Sequence, residues 1–164
     1  MTVEFEDLVP VYRLYNMVTS EHLFTTDKSE YDSWVSKSKS DSDYWIGEGI
    51  NWFAPKSGDT TVVRLYNPTL GGLGRTSHYY TSDTAEIEEL TGKHGWKNES
   101  SDGKAFASGG DIPIWTCYNE ALGSAHHYTS SQTEWLGLSK HGWDLERSKN
   151  RATGVFKAVL SAVA

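Results

Sequence analysis

The sequence predicts an α+β protein in which small antiparallel sheets, each carrying one short helix, form a pseudo-threefold repeat. Three observations predict it. A His-aromatic word recurs as "HLFTT" (22 to 26), "HYYTS" (78 to 82) and "HHYTS" (126 to 130). A strand-like segment ending in Tyr-Asn precedes each word, and a helix-start signal follows it. The whole pattern returns at a period of about 50 residues, the signature of a repeat architecture. A β-trefoil-like fold is the alternative, because it also divides in three, but its units lack a capped helix.

The opening segments are "VYRLYN" (11 to 16), "VVRLYN" (62 to 67) and "IWTCYN" (114 to 119). Their alternation of apolar and polar residues reads as strand. A loop follows, longest and glycine-rich in the second unit ("PTLGGLGRTS"), and then the His-aromatic word, read as the returning strand. Asp27, Asp83 and Ser131 are followed three residues later by Glu30, Glu86 and Glu134. That spacing fits a capping box, in which the short side chain accepts from an orphan amide and the Glu reaches back. Tyr31 and Trp34, Ile87 and Leu90, and Trp135 and Leu138 then give each short helix one apolar face. Gly95 and Gly142 in the two "KHGW" words fill the C-cap role, and Trp45 aligns with Trp96 and Trp143. Each unit closes on a further strand-like segment at 49 to 54, 103 to 108 and 154 to 159.

These units make one domain over residues 1–164, with repeats at about 9–60, 61–111 and 112–160. A unit of this size buries too little surface to stand alone, so three share one centre. The leading "VEF" (3 to 5) alternates as a strand does, and pairing it with the last unit would close the ring and remove an exposed edge.

Composition narrows the function. The net charge of −7 argues against a nucleic-acid partner, which needs a basic footprint. Cys117 is the one cysteine, so no internal disulfide forms. The first residues have neither the basic nor the apolar region of a signal peptide, and no apolar run reaches the roughly 18 residues of a membrane span. Membrane insertion is not expected. The expected location is cytoplasmic if the chain is full-length, and extracellular if it is an excised module.

"VYRLYN…EHLFTTDKSEYD…WIGEGINWFAPKSGDTTVVRLYN" resembles a repeat family of unknown function, with units of about 45 to 50 residues. Its units read Tyr-Arg-Leu-Tyr-Asn, His-Phe/Tyr-Tyr-Thr, helix, Gly-Trp, and Glu-Gly-Ile-Ala-Trp-Tyr-Ala-Pro. Such repeats accompany bacterial wall-active enzymes and occur in fungal proteins. The resemblance implies recognition of cell-surface or cell-wall glycans without catalysis, as in a fungal cytoplasmic lectin. It covers nearly the whole chain and is weakest in the third unit, where Thr116 and Cys117 replace Arg and Leu. The third unit is therefore expected to bind least.

Seven Trp and nine Tyr suit sugar recognition, which needs an aromatic face for the C–H side of the ring and polar groups for its hydroxyls. The candidate ligand-binding residues are His22, His78, His126, Trp45, Trp96, Trp143, Asn16, Asn67, Arg13, Arg64 and Tyr80. Each also has a structural reading. The histidines repeat because a symmetric core repeats. Asn16, Asn67 and Asn119 are turn formers. The tryptophans plug the helix ends, and Arg13 and Arg64 pair with a helix-cap Glu or stack on a ring.

Catalysis has little support. Cys117 in a strand reads as a small core residue, the histidine intervals are not those of a zinc site, and most carboxylates fall in helix first turns. No catalytic residue, cofactor or metal is expected. The expected function is a multivalent lectin, in which repeated shallow sites raise avidity and dimerisation would raise it further. A protein-interaction scaffold and a wall-anchoring module of a hydrolase are the alternatives.

Overall fold

The computed structural model describes residues 7–38, 45–58, 60–68, 77–100, 104–122, 125–145 and 157–161. The elements run β1 (Leu8–Asn16), β2 (His22–Thr25), α1 (Lys28–Lys37), β3 (Trp45–Pro55), β4 (Thr60–Asn67), β5 (Ser77–Thr81), α2 (Thr84–Lys93), β6 (Lys97–Asn98), β7 (Phe106–Ser108), β8 (Ile112–Pro113), β9 (Trp115–Asn119), β10 (Ala125–Thr129), α3 (Gln132–Leu138), β11 (Lys157–Ala158) and β12 (Leu160–Ser161). All pairings are antiparallel. The sheets have the orders β12-β3-β1-β2, β5-β4-β6, β10-β9 and β11-β8, with β7 on the early part of β4. The fold is α+β, and among the described residues no sheet closes into a barrel.

Three hairpins share one register. Tyr15 faces His22, Tyr66 faces His78, and Tyr118 faces His126. Two positions inward, Arg13 faces Phe24, Arg64 faces Tyr80, and Thr116 faces Tyr128. The Asn that ends each first strand is buried, and in the first and third hairpins it organises the turn. Asn16 Oδ1 accepts from Val18 N and Thr19 N, and Asn119 Oδ1 accepts from Leu122 N.

The helix starts are capped as the sequence suggests on one side and differently on the other. Asp27 accepts from Ser29 N and Glu30 N, Asp83 from Ala85 N and Glu86 N, and Ser131 from Glu134 N. The amide of each cap residue, however, donates to the threonine two positions earlier: Thr25, Thr81 and Thr129, at 3.0, 3.1 and 3.0 Å. The expected return bond from the helix glutamate is therefore not what holds that amide. The glutamates are left to meet the strands. Tyr31 and Trp34 pack on Leu14, Leu23 and Trp45, Ile87 and Leu90 on the main core, and Leu138 beside Cys117 and Trp135. Gly95 and Gly142 have φ of 72° and 85°, and the next amide, of Trp96 or Trp143, returns to Leu90 or Leu138. In the first unit Ser38 does this work: its hydroxyl donates to Trp34 O and accepts from Trp45 N.

The three hairpins meet at Phe24, Tyr80 and Tyr128, which are buried and pairwise edge-to-face with centroids 5.2–5.6 Å apart. Strands β2, β5 and β10 are each an outer strand of their sheet, so their outward amides and carbonyls lack a strand partner. Phenols supply one. Tyr80 Oη accepts from Phe24 N at 2.7 Å and donates to Phe24 O at 3.0 Å. Tyr128 Oη does the same for Tyr80, at 2.9 and 3.3 Å. Phe24 has no hydroxyl to return to Tyr128, and Asn51 Nδ2 donates to the Tyr128 carbonyl instead, at 3.2 Å.

The C-terminus returns to the first sheet, where Leu160 and Ser161 pair with Phe53 and Trp52. The expected strand at 3 to 5 lies outside the described residues, as do 103 and 154 to 156 of the expected closing strands.

Tyr80→Phe should lower stability by about 1–3 kcal/mol, since it leaves the buried Phe24 amide without an acceptor. Urea unfolding midpoints measure this, and an unchanged midpoint would contradict the assigned bond.

Candidate functional site

Each arginine of the first strands bonds a glutamate from a different hairpin's helix. Arg64 donates to both carboxylate oxygens of Glu30 at 2.8 Å, to Glu99 Oε2 at 2.8 Å and to Phe24 O at 3.4 Å. Arg13 donates to Glu134 at 2.9 Å and to Glu48 at 3.0 Å. The third strand has Thr116 at this place, and its hydroxyl is buried without a hydrogen-bond partner among the described residues. Glu86, whose helix corresponds to those of Glu30 and Glu134, accepts from Tyr79 Oη at 2.8 Å.

The carboxyl groups titrate accordingly. Burial raises all of them, but hydrogen bonds from His78 with the charge of Arg64 take Glu99 down to about 2. His127 and Arg13 do the same for Glu134, also to about 2. Glu30 is held below the usual range by Arg64. Burial prevails at Glu86, which is raised.

The histidines of the three second strands, His22, His78 and His126, sit in different electrostatic surroundings. The residue before them is Glu21, Ser77 or Ala125. Glu21 bonds His78 Nδ1, and Glu99 stands 3.4 Å from His78 Nε2. Burial lowers His78, but these two carboxylates outweigh it and the pKa is raised. His22 stacks on His127 with centroids 4.2 Å apart, and its Nε2 is 3.5 Å from Glu48. Burial, His127 and Arg13 hold it well below the usual value. His126 lies against Tyr79 and Tyr118, at 4.7 and 5.1 Å.

Two clefts open where hairpins adjoin. The first, of about 480 Å³, lies between the first and second hairpins. One wall is Trp34 with Trp45, centroids 5.5 Å apart, and the other is Tyr66 with His78, 5.0 Å apart. Glu21, Glu30, Arg64, Glu99 and Lys104 complete it. The second, of about 290 Å³, lies between the third and first hairpins and is lined by Tyr15, His22, Glu48, Leu138 and Trp143, with Ser20 and Leu122.

Of the candidate residues, His78, Trp45, Asn16 and Arg64 line the first cleft, and His22 and Trp143 the second. Trp96 is buried behind α2, in ring contact with Tyr79. Asn67 is buried and donates to His94 O. Arg13 is engaged by Glu48 and Glu134. Tyr80 sits in the centre of the core, where a ligand does not reach, because its phenol serves the backbone of β2. Sequence reasoning missed Glu21, Glu48, Glu99, Trp34 and Lys104. One signal was present: Trp45, Trp96 and Trp143 are each followed three residues later by glutamate, at Glu48, Glu99 and Glu146. Glu146 lies outside the described residues. Cys117 is fully buried and its thiol is pushed up to about 12 by burial and by Glu134, so it stays protonated near neutrality. Among the described residues no group of three His, Cys, Asp or Glu is placed to hold a metal ion, and no helix is long and apolar enough to cross a membrane.

The chain matches, over residues 10–153, the family described as a domain of unknown function, DUF5648, and belongs to it. Comparison with curated proteins and with solved structures finds no match.

The raised pKa of His78 fixes a sign. A group raised above its ordinary value of 6.5 contributes stability that is fully present below that value and is lost as pH rises through the folded value. Thermal midpoints of wild type and His78→Gln should therefore differ most at acidic pH and converge as pH rises past His78's folded value. A gap that stays constant from about pH 5 to 9 would contradict a charged His78.

Proposed function

We propose that this chain is a non-catalytic carbohydrate-binding protein whose sites are the clefts between adjoining hairpins. The observation that carries the reading is the first cleft, where Trp34 and Trp45 line a space of about 480 Å³ together with Glu21, Glu30, Glu99, Arg64 and Lys104. Aromatic faces suit the C–H side of a sugar, and fixed polar groups suit its hydroxyls. The second cleft repeats the combination with Trp143, Tyr15 and Glu48, so two related sites would act together on a dense glycan surface. The junction between the second and third hairpins has Thr116 in place of the arginine and is assigned the weakest site.

We further propose that the three hairpins with their helices are copies of one unit about a pseudo-threefold axis through Phe24, Tyr80 and Tyr128. The shared register and the one-directional phenol bonds support it. A protein-interaction scaffold is the second reading. It is favoured by Met17 and Val18, both strongly exposed at the β1–β2 turn.

A glycan array with the intact chain tests the first proposal. Hits sharing one sugar are expected, and Trp34→Ala should weaken them roughly tenfold, or about 1.4 kcal/mol. A blank array with capture of a protein partner would move the assignment to the scaffold. The symmetry has its own test. Asn51→Ala leaves the Tyr128 carbonyl without its amide donor and should lower the melting temperature. Adding Phe24→Tyr should restore it, because the axis brings a phenol at 24 to the Tyr128 backbone. No recovery would contradict the threefold arrangement.

A further inference from the structure

Each cleft exposes a carboxylate held by an arginine and flanked by a histidine. In the first, Glu99 Oε2 receives Arg64 Nε at 2.8 Å and stands 3.4 Å from His78 Nε2. In the second, Glu48 Oε1 receives Arg13 Nε at 3.0 Å and stands 3.5 Å from His22 Nε2, and Glu48 Oε2 receives Arg13 Nη2 at 3.4 Å. The carboxylate side chains are 27 % and 30 % exposed, whereas the arginine side chains beneath them are 2 % and 15 % exposed. The arginine donors are engaged within the protein, by Glu30, Glu99 and Phe24 O for Arg64 and by Glu48 and Glu134 for Arg13. In each pair the more exposed partner is thus an oriented carboxylate. An ionised carboxylate only accepts hydrogen bonds, and its two oxygens offer about four acceptor positions. Among the described residues both contacts to Glu99 fall on Oε2, so Oε1 retains acceptor capacity. The arginine and histidine beneath keep Glu99 ionised far below neutral pH.

Building on the carbohydrate reading above, we propose that Glu99 and Glu48 are the ligand-facing acceptors of the two clefts and set their specificity. They take hydroxyl or amine donors of neutral or amino sugars and reject sugars bearing carboxylate or sulfate. A ligand anion would meet a like charge there, and the arginine charge beneath is already neutralised, so discrimination comes from repulsion as well as attraction. In the first cleft Lys104, 3.7 Å from Glu30, and His78, with its raised pKa, offset part of that repulsion. Among the described residues the lining of the second cleft holds no lysine or arginine, and it should discriminate more sharply.

The test is a panel of immobilised glycans in pairs, each neutral or amino sugar beside its uronate or sulfated counterpart. The intact chain, Glu48→Gln, Glu99→Gln and the double variant are compared, with far-UV circular dichroism to monitor folding. The wild type should retain the neutral and amino members and not the acidic ones. The folded double variant should bind roughly tenfold or more weakly and lose the discrimination, since bonds to charged acceptors are the strong ones. Equal retention of acidic members by the wild type overturns the inference and leaves the carbohydrate reading standing, as does wild-type binding by the folded double variant. Retention of no glycan at all overturns both. If the variants fail to fold, the wild type's discrimination within the pairs decides the matter.

Discussion

The structure depends on satisfying three strand edges at one point. Strands β2, β5 and β10 are short outer strands in which Phe24, Tyr80 and Tyr128 turn backbone groups away from their own sheet. Such groups, buried without partners, would each carry a desolvation penalty. A phenol answers both needs, because one oxygen accepts from the amide and donates to the carbonyl. The ring that delivers the hydroxyl is also the core residue of the next hairpin, so burying it and satisfying the edge are one act. That coupling fixes how the hairpins sit against one another, and the charged contacts and the clefts follow from it.

Departures from regularity are met locally. Phe24 brings no phenol, and Asn51 from β3 reaches the Tyr128 carbonyl in its stead. Thr116 brings no guanidinium, and Glu86 takes the Tyr79 hydroxyl and rises in pKa. Glu21 stands where the other hairpins have Ser77 and Ala125, and with Glu99 it places His78 between two carboxylates that raise its pKa against burial. The same differences make the clefts unequal. The first has a histidine raised above its ordinary value and a lysine, and the second has His22 held well below the usual value beside His127.

Much of the fold was legible because its signals are local. The Tyr-Asn endings, the cap residues with their spacing, and the glycines at 95 and 142 each act within a few residues. The partners of Arg13 and Arg64 were open among three options, and the helix glutamates turned out to come from other hairpins, at separations of 121 and 34 residues. No period within one unit encodes that pairing. The capping-box spacing was read as an amide contact because the sequence does not reveal that Thr25, Thr81 and Thr129 already occupy the amide. Tyr80 was placed at a ligand because aromatic repetition looks alike at an axis and at a surface, and only packing separates them. Glu48 and Glu99 were overlooked although their spacing from tryptophan repeats, because a glutamate gains meaning from the arginine beneath it.

In the function proposed above, ligands enter between hairpins and not on their outer faces. A crystal of the chain soaked with a bound glycan decides between the two. Density is expected in the cleft walled by Trp34 and Trp45, with a sugar hydroxyl or amine on Glu99, and in the cleft beside Trp143, with the same contact on Glu48. A glycan seated instead on the exposed turn at Met17 and Val18, with both clefts empty, would contradict it.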